Sequence, residues 1–393
     1  MEEPLYDEEM GPVIGKLDPD NLSDFSDTEL IPKIENVVSS MVGIYRTKCH
    51  ELQTVPISVF LDQMNEPIIN LKHYGLNALD VEALTHVLSS VEHISQIFLD
   101  GNHIGKKGAD CVANLIQTHP NLNLISLSQC NLLDSDEMSL NHTWHGELSM
   151  QEIIGKDGKV RKKRQPKPLD NSLLRTIATD TNLQTVCMSS NDITDRLGAF
   201  FFKSASENRS IKVLEMSNNK LSFYTAAALM EFLATNTSLN TLNLHGNNFG
   251  IMNSMEHIGT GLSNNSTIEY LDLSENNIKD EHVVRLFHHL NGSGTLRVLN
   301  LTGNKLKMAD WRPYENYFAN GCRLEELQLR YNELSSQSIS NLMCALVKHP
   351  DLRLTLLDLR NACVVGAKLT EPGREAYDEL SQLFKILVDD SIL

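Results

Sequence analysis

The 393-residue chain has little cysteine, few aromatics, scarce positive charge and no long apolar run. Its seven Cys are scattered, form no Cys-x-x-Cys pair and make an odd total. That argues against a disulfide framework or a Cys-rich zinc site, and predicts a reducing compartment. No segment approaches the roughly 18 consecutive apolar residues that suggest a membrane-spanning helix. The start, Met1-Glu2-Glu3-Pro4 with Asp7, Glu8 and Glu9 close behind, has neither the basic opening nor the apolar core of a signal peptide. The chain is therefore read as cytoplasmic. Lys and Arg number 34 against 51 Asp and Glu, a net charge of −17. Such a balance repels phosphate and excludes broad binding to nucleic acid or anionic membrane. Aromatics are only 6%, and Leu and Asn stand out instead.

That bias has a period. Segments of the form L-x-L-x-x-N-x-L recur with middle residues Asn102, Cys130, Asn191, Asn219, Asn247, Asn276, Asn304 and Asn332, flanked by degenerate copies at Tyr74 and Ala362. Successive spacings are 28, 28, 61, 28, 28, 29, 28, 28 and 30 residues. In L-x-L the two Leu point to one side of a short strand and the x residues to the other. The Asn turns inward at the strand end, where its amide can bond backbone groups otherwise buried unpaired. Cys130 replaces it with a weak donor that tolerates burial. The second half of each unit has small and apolar residues at helical spacing, as in Ala227-Ala228…Phe232-Leu233. Strand plus full helix in about 28 residues is the long, ribonuclease-inhibitor-like class of leucine-rich repeat. The predicted fold is an α/β solenoid, a horseshoe of about ten repeats. Parallel strands line its concave face and helices its convex face.

Departures from the period define the organisation. Residues 1–33 hold ten acids and two bases and read as a disordered acidic tail, with Ser23 and Ser26 as possible phosphorylation sites. Residues 34–66 read as a helical N-terminal cap, 67–366 as the repeats, and 367–393 as a C-terminal helical cap. The 61-residue interval is one repeat with an insertion at 134–168, since a missing strand would break the ladder. The insertion carries seven bases and one acid between Lys156 and Lys167. Its Arg161-Lys162-Lys163-Arg164 run is either a solvated loop or a site for an acidic partner or an import receptor.

Motifs of catalysis and metal binding are missing. Gly101 to Lys107 has three residues between its glycines where a phosphate loop needs four, and Lys107 stands where a hydroxyl belongs. There is no His-Glu-x-x-His and no Gly-x-Ser-x-Gly. No cofactor or metal is expected. The Asn-x-Ser/Thr triplets at Asn141, Asn208, Asn236 and Asn300 are read as Asn and Ser richness rather than glycosylation sites. Trp311, Tyr314, Tyr317 and Phe318 are expected to pack between helices. The concave face is polar and mixed in charge, which suits a binding surface rather than a catalytic one. Its candidate partner-binding residues are Asp100, Glu215, His245, Asp272, Arg330, Tyr331 and Arg360, with Arg and Tyr as anchors.

The ladder resembles the ribonuclease-inhibitor-type repeats of many cytosolic proteins. Ahead of it, Tyr45…Cys49…Val55-Pro56-Ile57-Ser58-Val59-Phe60-Leu61…Asn70-Leu71-Lys72-His73-Tyr74-Gly75-Leu76 resembles the opening of the leucine-rich-repeat-containing protein seventy-four family. It is similar, more loosely, to subunit five of the axonemal dynein regulatory complex. The basic insertion departs from that pattern. The resemblance implies a non-enzymatic interaction protein in a ciliary or flagellar complex; the charge of the basic loop separately adds the nucleus as a further address. The rival reading is a regulator of a small GTPase resembling the Ran GTPase-activating protein, which uses the same repeat type.

Overall fold

The computed structural model describes residues 31–133, 171–290, 294–319, 323–349, 351–363 and 368–393. The tail residues 1–30 and the insertion 134–168 lie outside them. The first apolar residue of each L-x-L becomes the buried centre of a three-residue strand, and the strand residues on either side of it turn to the other face. The strands are β1 Ile68–Asn70, β2 Gln96–Phe98, β3 Leu124–Ser126, β4 Thr185–Cys187, β5 Val213–Glu215 and β6 Thr241–Asn243. They continue as β7 Tyr270–Asp272, β8 Val298–Asn300, β9 Glu326–Gln328, β10 Leu356–Asp358 and β11 Lys385–Leu387. All pair in parallel and in chain order, giving one open eleven-stranded sheet. β3 pairs directly with β4, Ile125 opposite Val186, so the sheet passes the 61-residue interval without a gap. One strand more is present than the motif count suggests. β11 belongs to a degenerate copy, Ile386-Leu387-Val388 with Ser391 in the asparagine place and Leu393 closing the unit, and its Ile386 stacks in register on Leu357.

Among the described residues, helices cover one face of the sheet. They are α1 Ile31–Leu52, α2 Ser58–Gln63, α3 Ala78–Leu88, α4 Gly105–Thr118, α5 Ser172–Thr179 and α6 Asp195–Ser204. α7 Phe223–Thr235, α8 Ser254–Ser263, α9 Asp280–Leu290, α10 Arg312–Ala319, α11 Ser336–Leu346 and α12 Glu371–Leu380 complete the layer. The strand and helix side chains of every coil merge into one continuous apolar core. The aromatic quartet belongs to it. Tyr314 and Tyr317 pack edge-on to Phe287 at 5.3 and 5.1 Å, and the Trp311 indole N–H donates to Ser338 O of the next helix at 2.8 Å.

Two polar ladders join the coils. In the first, Asn102 Nδ2 donates to Leu71 O (2.8 Å) of the preceding coil and to Leu99 O (2.7 Å) of its own, while its Oδ1 accepts from Leu76 N (2.9 Å). Asn191, Asn219, Asn247, Asn276, Asn304 and Asn332 repeat the pattern. At Cys130 only the donor survives, Sγ to Leu99 O at 3.1 Å. Burial pushes that thiol up to about 12. The residue before each ladder position is left-handed. Gly supplies it at Gly101, Gly246 and Gly303, and larger residues at Ser190, Glu275, Tyr331 and Asn361.

The second ladder, not anticipated from the sequence, runs behind the helix ends. Asn208 Nδ2 donates to Asp180 O (2.8 Å), Asn236 Nδ2 to Asn208 O (2.9 Å) and Asn265 Nδ2 to Asn236 O (3.1 Å). The triplets at Asn208 and Asn236 therefore mark buried turn residues. His119 fills an equivalent place earlier, with Nε2 on Val91 O at 2.6 Å and Nδ1 accepting from Asn121 N. At the start of the stack, α1 and α2 cover the first coil through Tyr45 and Phe60, both fully buried. Gln63 closes the outer edge of β1: its Oε1 accepts from Asn70 N at 2.7 Å and its Nε2 donates to Asn70 O at 3.3 Å. A side-chain amide thus stands where another strand would be.

Two outcomes are expected. Asn276 is fully buried and bonds Leu244 O, Ser274 O and Phe249 N. Asn276→Ala should lower unfolding stability by about 3 kcal/mol, because it strands buried backbone groups, as read by urea denaturation. His119 has its pKa lowered, chiefly by burial. Its neutral form is favoured in the fold, so its contribution is full above the unfolded pKa of about 6.5 and is lost as pH falls through the lower folded value. His119→Gln should flatten that acid limb in a pH series of thermal melts.

Candidate functional site

The strand face without helices displays three side chains per coil in columns that run across the stack. Adjacent strands lie about 4.8 Å apart, so residues one repeat apart become direct neighbours. That geometry divides the face into three zones.

The first zone spans β1 to β5. Lys72 lies 3.2 Å from Asp100 and 4.7 Å from the centre of the Phe98 ring. Asp100 is largely buried, and its Oδ1 accepts from Ser126 Oγ (2.5 Å) and Ser128 N (3.0 Å). A row of hydroxyls follows, with Ser128 Oγ accepting from Ser189 N and Ser217 Oγ donating to Ser189 Oγ at 2.8 Å. Glu215 sits beside Cys187. Burial, and then the Asp100 charge, raise its carboxyl above the usual range, against the opposing pull of Cys187 and Lys72. Burial, and then the Glu215 charge, push the Cys187 thiol up to about 12.

The second zone centres on Asp272. Its Oδ1 accepts from Ser274 N (2.8 Å) and Ser274 Oγ (2.5 Å), and its Oδ2 from Asn300 Nδ2 (2.8 Å). Tyr270 Oη donates to the same carboxylate at 3.4 Å. Burial, and then Asp272, raise the phenol pKa. His245 Nδ1 meets Ser274 Oγ at 2.8 Å, and its Nε2 is 3.9 Å from Glu275.

In the third zone two arginines share one carboxylate. Arg360 Nε and Nη2 donate to Asp358 at 3.0 and 2.7 Å, which raises the guanidinium pKa. Arg330 Nε lies 3.8 Å from Asp358 Oδ2, and its guanidinium stacks 5.3 Å from the Tyr331 ring centre. Tyr331 is 55% exposed.

The expected residues thus fall into three groups rather than one. The charge of Asp100 bears on Glu215, His245 shares Ser274 with Asp272, and Arg330, Tyr331 and Arg360 lie together. Asp100 and Asp272 serve neighbouring strands as hydrogen-bond hubs, so part of their polarity is structural. Two contributors were not counted among the candidates. Lys72 follows the degenerate first strand in the column that Asp100 occupies one coil later. Asp358 sits between the arginines, and its place in the L-x-L of β10 was the available signal. Arg161, Lys162, Lys163 and Arg164 lie outside the described residues.

The Cys187 thiol is shifted away from the thiolate that nucleophilic work requires. Among the described residues no group of three or more His, Cys, Asp or Glu could hold a metal ion. No described helix is long and apolar enough to cross a membrane.

No protein-family profile matches the chain. Among solved structures, it is similar to leiomodin-1 actin-binding site 2, with 21% identity over 38% of this chain and 86% of that one, at a TM-score of 0.33. At that overlap the likeness carries no argument about function.

The Glu215–Cys187 pair yields a direct test. At pH 8, Cys187 should react slowly with iodoacetamide, because little of a thiol raised to about 12 is ionised. Glu215→Gln removes the neighbouring charge and should speed its alkylation severalfold, with burial still holding the pKa above that of a free thiol. Peptide mass spectrometry over a time course reads both rates.

Proposed function

We propose that this chain is a non-catalytic scaffold that binds a protein partner through the open face of its sheet. The observation that carries this reading is the contrast between the two sides of the sheet. One side is packed by helices and supplies the core. The other presents eleven strands of polar columns, with a positioned cation, carboxylate and aromatic group at each end. Preorganised Arg and Tyr groups on a rigid support are what protein recognition uses. The basic run Arg161 to Arg164 is proposed as a second contact, for an acidic partner or an import receptor, on the basis of its charge. The ciliary setting rests on the sequence resemblance of residues 45–76.

The test is affinity purification of the full chain from cells, followed by titration of the partner it retains. A combined Glu215→Lys, Arg330→Glu and Arg360→Glu variant should weaken that partner at least tenfold while its circular dichroism stays unchanged. Asp272 is left alone because its carboxylate holds β7 to β8. Unchanged affinity would exclude the open face. Accelerated GTP hydrolysis across a panel of small GTPases would instead favour the regulator reading.

A further inference from the structure

The two ends of the sheet are finished differently. At β1 the outer edge is closed, because the Gln63 amide bonds both main-chain groups of Asn70. At β11, Lys385 and Leu387 turn their main-chain groups to β10: Lys385 N donates to Thr355 O (3.0 Å) and Leu387 O accepts from Leu359 N (2.7 Å). Alternation along the strand then points the Ile386 carbonyl and the Val388 N–H to the outer side. Among the described residues no strand lies there to meet them. The core is open at the same place. The middle residue of every other strand is at most 1% exposed, whereas Ile386 is only partly buried. Leu383, just ahead of the strand, is 70% exposed. An unpaired apolar edge of this kind is a template for another strand.

The side chains of the edge select which strand. The segment reads Lys385-Ile386-Leu387-Val388-Asp389, a base and an acid at opposite ends of three apolar residues. The extended backbone continues to Asp389, with φ of −75° and ψ of 134°. Lys385 is exposed, and its ammonium has no hydrogen bond or ion pair among the described residues. Asp389 spends Oδ2 on Asn361 N at 2.8 Å. Arg360, which feels the Asp389 charge, gives its hydrogen bonds to Asp358 instead. When two such segments run antiparallel about Leu387, Lys385 of each stands opposite Asp389 of the other, and Ile386 opposite Val388. The Val388 N–H then meets the Ile386 carbonyl of the other copy, once in each direction. A slip of one residue turns the outward main-chain groups away from each other, and a slip of two separates the charges. Only the register centred on Leu387 satisfies both.

We propose that the outer edge of β11 is the docking site for a second copy of this chain, the two β11 strands pairing antiparallel about Leu387. The occupant follows from self-complementarity: one segment carries both halves of the charge pair and both halves of the main-chain pair. A two-fold contact of this type is used up by a single partner, so assembly stops at the dimer. Continuation from the other end is blocked, because Gln63 occupies the edge of β1. The dimer joins two eleven-stranded sheets into one and leaves the polar columns of the open face uncovered. It therefore stands independently of the scaffold reading, and where that reading holds it presents the binding face twice. One short strand pair buries little area, so the association is weak and reversible.

Analytical ultracentrifugation of the full chain tests this. A reversible monomer–dimer equilibrium is expected between about 1 and about 300 μM. Lys385→Asp and Asp389→Lys, each alone, should weaken the dimer at least about fivefold, because each sets like charges opposite one another twice. An equimolar mixture of the two variants should recover the parent affinity as a heterodimer, since every Asp then faces a Lys. The double variant Lys385→Asp with Asp389→Lys should recover it as a homodimer. Asp389→Lys also gives up the bond to Asn361 N, so a second readout avoids it: added salt should weaken the parent dimer and strengthen that of Lys385→Asp. A monomeric parent chain overturns the inference and leaves the edge to a strand of another protein. Growth beyond the dimer, or a dimer indifferent to Lys385→Asp and to salt, overturns it as well. So does a mixture that associates no better than either folded variant alone.

Discussion

The stack depends on one constraint: every coil turns a backbone corner inside an apolar core, and each corner buries peptide groups that strands and helices cannot pair. A buried unpaired amide costs on the order of 1–3 kcal/mol, and seven coils meet it with the same asparagine. Because Nδ2 reaches back to the preceding coil and Oδ1 accepts from its loop, the residue that satisfies one turn also joins it to its neighbour. Cohesion along the stack is therefore polar as well as apolar. At the last motif Ala362 has no amide to offer, and its backbone carbonyl takes over by accepting from Leu334 N at 2.9 Å.

The same period that builds the core arranges the surface. Groups about 28 residues apart stand one strand apart, and the ion pairs follow. Lys72 meets Asp100, Arg330 meets Asp358, and Arg297 meets both Glu269 and Glu325. A charge on such a sheet is judged by the residue one repeat away more than by its sequence neighbours. This is why Asp272 and Glu215, equivalent in sequence as outward acids, differ in character. Asp272 has Asn300 and Ser274 to satisfy it, whereas the charged form of Glu215 is disfavoured by burial and by Asp100.

Much of the fold was legible because Leu and Asn carry it at a fixed spacing. The parallel order, the helix layer and the inward asparagines all follow from that pattern. β11 was missed because its copy is degenerate, with Ser391 where the asparagine stands and the unit read instead as part of a helical cap. The second ladder was overlooked although Asn208, Asn236 and Asn265 recur at 28 and 29 residues, because the run is only three coils long and His119 takes the place earlier in the chain. On the open face, the outward residues could be named from alternation alone. Their grouping could not, because it depends on which side chains lean towards each other across strands. Arg330 is the clearest instance: nothing in Leu329-Arg330-Tyr331 says whether the guanidinium turns to Asp358, to Tyr331 or to solvent.

Separation of core and face also bears on how such a surface can change. The buried middle residue of each strand and the ladder asparagine hold the coil, so outward positions are free to vary at little cost in stability. Where they do carry cost, they tie strands together, as Asp100 and Asp272 each do by bonding the adjacent strand. Tyr331 holds a left-handed position that seven coils fill with a residue other than glycine, and its exposed ring lies against the Arg330 guanidinium.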